Sequence, residues 1–144
     1  MPTRSLPGRR LAAAVAALAA ALLAGCNTMA SAPDEGPERP TSLRFTLEPE
    51  NSLAGAPISP VAITVFDNLG DTSFSSTATI RVSIEGGTGN ASAKLHGDTL
   101  LAAVNGTALF DNLVIDSAGT GYRLLATSDG LGSAMSDSFD VAHP

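Results

Sequence analysis

The stretch "DSAGTGYRLLA", residues 116–126, decides how the chain folds. Gly119 and Gly121 punctuate a bend, and from Tyr122 onward every second residue is apolar, so that Tyr122, Leu124 and Ala126 share one side of an extended chain. Side chains alternate across a strand, and a period of two with one apolar face marks a strand that is half buried. The same period recurs on either side of this stretch. Leu43, Phe45 and Leu47 alternate with Arg44, Thr46 and Glu48, and Ile80, Val82 and Ile84 alternate with Arg81, Ser83 and Glu85. "VAITVF", residues 61–66, is apolar on both sides and suits a central strand. Further strands are expected at residues 91–95, 99–104, 107–110 continuing toward Ile115, and 134–141. Turn signals separate them at residues 68–71, at "GGTGN" (86–90), at Asn105-Gly106 and at Asp129-Gly130. No stretch after Cys26 carries a helical period. Seven to eight short strands in about 100 residues predict an all-β fold, a Greek-key β-sandwich over residues 42–144.

In such a sandwich, a tyrosine that opens a strand after a bend bonds through its hydroxyl to the backbone just upstream. Tyr122 stands at that corner, and Leu124 stands where antibody domains carry a disulfide cysteine. The competing reading makes Tyr122 an amphipathic residue at the edge of the core.

Three stretches then give the chain a family likeness: "SPVAITVFDNLGD" (59–71), "AVNGTALFDNLVIDSAGTGYRLLATSDGL" (103–131) and the closing "SFDV" (138–141). With Leu43 and Phe45, they make most of residues 42–141 resemble the bacterial immunoglobulin-like modules repeated in surface adhesins of the invasin and intimin type. The resemblance implies an immunoglobulin-like topology and a role in adhesion or protein interaction. It records turns and core positions, not chemistry. Those modules come in tandem and this chain has one, so adhesion by long arrays does not carry over.

Ahead of the strands lies a different kind of sequence. Arg4, Arg9 and Arg10 precede residues 11–25, an unbroken run of Leu, Ala, Val and a final Gly, and the run closes on Cys26, the only cysteine. This is the three-part layout of a secretory signal. The run is too short to span a membrane, which takes roughly 20 apolar residues. Leu23, Ala24, Gly25 and Cys26 resemble the lipobox of bacterial lipoproteins. The resemblance implies cleavage before Cys26, a diacylglycerol on its thiol and acylation of the new amine, which together supply the several chains a stable anchor needs. A slightly short membrane anchor, a free thiol and an ordinary signal cleaved elsewhere are the competing readings. Asn27 is not the aspartate that retains lipoproteins at the inner membrane in many Gram-negative bacteria, which favours the outer membrane. Residues 26–41, with Pro33, Pro37 and Pro40 among Asp34, Glu35 and Glu38, read as a flexible linker.

After Cys26 the chain has five basic residues against fourteen acidic ones, a net of −9. That balance excludes nucleic acid as a partner, because phosphate backbones reward clustered Lys and Arg. Catalysis is not expected. His96 and His143 are the only histidines, and a triad would need His96 beside a hydroxyl and a carboxylate such as Asp98 with no nucleophile elbow around it. "KLHGD", residues 94–98, reads instead as a solvated turn. Two distant histidines do not close a zinc site, and no cofactor is expected. Asp67, Asn68 and Asp71 of "DNLGD" set out oxygens of the kind calcium favours, making them weak calcium candidates, but Asp and Asn are also the usual turn-formers.

Phe74 is the aromatic the core pattern does not claim, and it is expected to cap the sandwich end, not to stack on a sugar. A hairpin at Asn105-Gly106 would turn Leu100, Ala102 and Leu109 outward, opposite Leu101, Ala103, Ala108 and Phe110. Leu100, Leu109 and Phe74 are therefore the candidate partner contacts. Two function classes follow. One is a membrane-anchored structural, adhesion or interaction module with a protein partner in the envelope or at the cell surface. The other is a ligand or glycan receptor with a loop site that calcium would stabilise.

Overall fold

A computed structural model describes residues 38–144. The expected signal segment 1–25, the lipidation residue Cys26 and most of the 26–41 linker lie outside the described residues. The fold is an all-β sandwich. Its first sheet places β3 (Val61–Asp67) between β1 (Pro40–Leu47) and β7 (Thr107–Phe110), all antiparallel. The second orders β11 (Ala134–Met135), β10 (Leu124–Thr127), β4 (Thr79–Ile84) and β6 (Leu100–Ala102). β9 (Gly119–Tyr122) leads into β10 across Arg123 and pairs with β12 (Phe139–Ala142), whose other edge takes β2 (Ser52–Leu53) as a parallel partner. A short ladder joins β5 (Leu95–His96) to β8 (Val114–Ile115).

The alternation seen in the sequence becomes the core. Val61, Ile63 and Val65 from β3 meet Ile80 and Val82 from β4, Leu124 and Ala126 from β10, and Tyr122, Phe139 and Val141, all buried. Each large apolar side chain taken out of water in this way contributes about 1.5–3 kcal/mol. The outer face of the first sheet is tied by hydroxyls: Thr64, buried, bonds to Thr46 and to Thr107 across three strands, each at 3.0 Å. Beside it the Arg44 guanidinium lies 4.6 Å from the centroid of the Phe66 ring, a cation held over an aromatic face.

Several expectations need correction. Leu47 is 48% exposed, unlike buried Leu43 and half-buried Phe45, because a register shift between Phe45 and Leu47 places Leu47 opposite Ala62 on the outer face. The expected strand at 91–95 shrinks to Leu95–His96, since the Asn90 carboxamide oxygen accepts the Ser92 amide (3.0 Å) and hydroxyl (2.8 Å) and closes a turn there. The run from 107 toward Ile115 breaks after Phe110, where the chain leaves β3 and Leu113 instead accepts a bond from the Ile58 amide. The first strand begins at Pro40, inside the segment expected as linker.

The Asn105-Gly106 turn forms, with positive φ at both residues (51° and 77°) and reciprocal bonds between Val104 and Thr107. Yet its arms separate at once: β6 stays with β4 and β7 with β3, so the turn carries the chain from one sheet to the other and is not part of a two-stranded hairpin.

One end of the sandwich gathers four segments. Pro40 pairs with Asp67 at the end of β3; Ser73 donates to Val65; Gly106 donates to Ser76 and accepts from Val65; and Gly132 exchanges bonds with Thr41 and Leu43. The chain therefore enters at this end. It leaves at the other, where Val141 lies opposite Gly119 at the start of β9.

Candidate functional site

At the far end, the bend before β9 is fixed by Tyr122. Its hydroxyl donates to the Ser117 carbonyl at 2.8 Å, the corner bond anticipated from the sequence. The ring is fully buried, tilted at 34° to Phe139 with centroids 6.0 Å apart. Gly89 packs against the ring so closely that a Cβ would fall within it.

The bend so held presents Asp116. One carboxylate oxygen accepts the Lys94 amide (2.9 Å) and the Ser117 hydroxyl (2.8 Å), while the other faces His96 Nε2 at 3.3 Å. The Lys94 amide first, then Ser117 and His96, hold this carboxyl down at about 2. A Ser-His-Asp triad needs its imidazole between hydroxyl and carboxylate. Here the order is inverted: Asp116 lies between Ser117 and His96, so the hydroxyl proton is directed to the carboxylate. Asp98, the carboxylate a triad around His96 would have needed, is bound to Asn112, through its amide (2.9 Å) and its Oδ2 (2.7 Å). An open groove of about 430 Å³ runs beside His96, where β6 has left β4; Val82, Ile84, Leu95 and Thr99 contribute to its lining.

The 67–71 turn is at the opposite end. Asp67 is buried, and its Oδ1 accepts the amides of Leu69 (2.8 Å) and Asp71 (3.0 Å); Asn68 Oδ1 accepts the Arg39 amide at 3.0 Å. Two of the three calcium candidates thus have an oxygen committed to shaping the turn and to holding the entering chain. Among the described residues, no group of three or more His, Cys, Asp or Glu is arranged to hold a metal ion.

The candidate contact residues are not brought together. Leu100 (50% exposed) faces out of the second sheet and Leu109 (55%) out of the first, so they belong to two outer faces and make no single patch. Phe74, at 72% exposure, does not cap the sandwich. The loop from residue 72 to 78 hangs on backbone bonds to Val65 and Gly106, and these hold its chain in place without drawing the ring inward.

No protein-family model matches the chain. No curated protein matches it either. Among solved structures it is similar to the β-glucuronidase of Parabacteroides merdae, in one crystal structure of that enzyme and in a second with glycerol in the active site, at 21% identity in both and TM-scores of 0.48 and 0.49. The match covers 67% of this chain and 12% of the enzyme's.

Sequence reasoning missed Asp116 as the partner of His96, with Ser117 on its other oxygen, and missed Val104 and Leu69 as exposed apolar residues at the same end as Phe74. The first pair was legible only in part, since twenty residues separate His96 from Asp116 and only the β5–β8 ladder joins them. For Val104 a signal was present: it precedes an Asn-Gly turn, and a residue flanking such a turn sits at a loop tip.

Proposed function

We propose that this protein is a non-enzymatic lipoprotein of a bacterial cell envelope, in which acylated Cys26 holds the β-sandwich at a membrane, the outer one by the Asn27 criterion, as a structural, adhesion or protein-interaction module. One observation carries the reading: the only cysteine of the chain follows Leu23-Ala24-Gly25 at the end of an apolar run with a basic start. The Tyr122 corner bond is the one a Greek-key immunoglobulin-like sandwich carries, and it supports the module part of this reading. The inverted order of Ser117, Asp116 and His96 supports a role without turnover. Metabolic labelling with an alkyne fatty acid is the test. Label should appear on the wild type and vanish in Cys26→Ala; an unlabelled wild type overturns the anchor.

A second reading, a loop receptor for a glycan or another ligand, draws on the exposed ring of Phe74. It requires ligand-dependent thermal stabilisation that Phe74→Ala removes.

A further inference from the structure

Eight large apolar side chains stand exposed among the described residues, and the two most exposed, Phe74 (72%) and Val104 (71%), occur at the same end of the sandwich. They are held there together. Gly106, two residues after Val104, packs so tightly against the Ser73 carbonyl, next to Phe74, that no Cβ would fit between them, and its amide donates to Ser76. Leu69 (46%) adds a third apolar side chain, from the 67–71 turn of that end. We propose that this end of the sandwich seats on a zwitterionic lipid bilayer, with Phe74, Val104 and Leu69 entering the interface between headgroups and acyl chains.

The inference rests on the Cys26 anchor proposed above, and the path of the chain supplies its argument. Arg39 exchanges backbone and side-chain bonds with Asn68, and Thr41 donates to the Asp67 carbonyl, so the chain coming from Cys26 joins the body on the very turn that carries Leu69. The eleven residues between Cys26 and Glu38 reach at most about 40 Å. An anchor at Cys26 therefore holds this end, where the chain joins the body, closer to the lipid on average than the exit end and at higher effective concentration. Apolar side chains that enter the boundary between headgroups and acyl chains gain in proportion to the apolar area they bury, a contribution separate from the attraction of basic residues to anionic lipid. The net charge of −9 after Cys26 argues against anionic headgroups, which leaves zwitterionic lipid as the occupant.

The chain has no tryptophan, so Phe74→Trp gives a single reporter at an exposed position. The acylated chain from Cys26 carrying this substitution is placed in phosphatidylcholine–phosphatidylethanolamine vesicles. Its emission should shift to the blue and be quenched by lipids brominated on their acyl chains. Adding Leu69→Asp and Val104→Asp should abolish both effects while the lipid keeps the protein on the vesicles. Water-like emission from the anchored protein overturns the proposal. So does a blue shift of the unacylated Cys26→Ala chain without vesicles that grows with protein concentration, which would mean that the end pairs with a second copy. If Cys26 proves bare in cells, the anchor reading fails by itself; coupling its thiol to a maleimide-headgroup lipid restores the tether at the same residue, and the same emission test decides the docking.

Discussion

Tyr122 concentrates several constraints in one side chain. Removing its hydroxyl in Tyr122→Phe leaves the ring packing intact and deletes the bond to Ser117; urea denaturation should register a loss of about 1 kcal/mol, the usual net worth of such a bond. Gly89 and Gly87 both adopt positive φ (59° and 83°), yet only Gly89 lies against the ring. Alanine at Gly87 should cost the left-handed backbone strain alone, about 1–2 kcal/mol. At Gly89 the loss should be clearly larger, because the methyl group and the Tyr122 ring compete for one space; thermal melts of the two variants side by side measure the difference. Asp116 makes the fold sensitive to acid. Its carboxyl sits at about 2 in the folded chain against an ordinary 3.8, so the stabilisation it lends is complete above the ordinary value and is lost as pH falls through the folded one. Asp116→Asn should flatten the decline of the urea midpoint over that acid range, and an unchanged slope would contradict the arrangement around the carboxylate.

At the level of the elements, what matters is which face of a strand a residue occupies. Ile80 is fully buried in β4, and Ile80→Ala should cost about 2–5 kcal/mol. Leu109, on the outer face of β7, should tolerate Lys within about 0.5 kcal/mol by the same equilibrium measurement. β4 could be read from the sequence because its alternation runs unbroken, and β3 because its run is apolar on both sides, as a central strand requires. Tyr122 was legible for a related reason, since a glycine bend before an alternating run leaves few places for a tyrosine. The faces of β1 and the extent of β5 were not legible. A bulge at Thr46 and an Asn90 turn are decided by hydrogen bonds that leave no mark on hydrophobic periodicity. The divergence of β6 and β7 after a well-formed Asn-Gly turn was hidden as well: turn chemistry sets the two central residues, whereas the sheet each arm joins is chosen by distant partners, Ile80 for Leu101 and Ile63 for Ala108. The apolar end with Phe74 and Val104 could not be read as a unit, because β4, β5 and β6 lie between them in the chain.

For the molecule as a whole, the governing feature is that the chain enters at one end of the sandwich and leaves at the other. Entry is fixed by Arg39 and Thr41 on the 67–71 turn, exit by β12 between β9 and the parallel β2. When tension is applied between residues 39 and 143, β1 is dragged lengthwise past β3 and β12 past β2, so that the rungs of each ladder are loaded in shear and share the force. Traction between residues 39 and 105, both at the entry end, instead unzips the first sheet rung by rung. Single-molecule stretching through these two pairs of handles should rupture the domain at a higher force for the first pair than for the second. Strand direction thereby gives the domain a stiff axis, from entry to exit, and a compliant one across it.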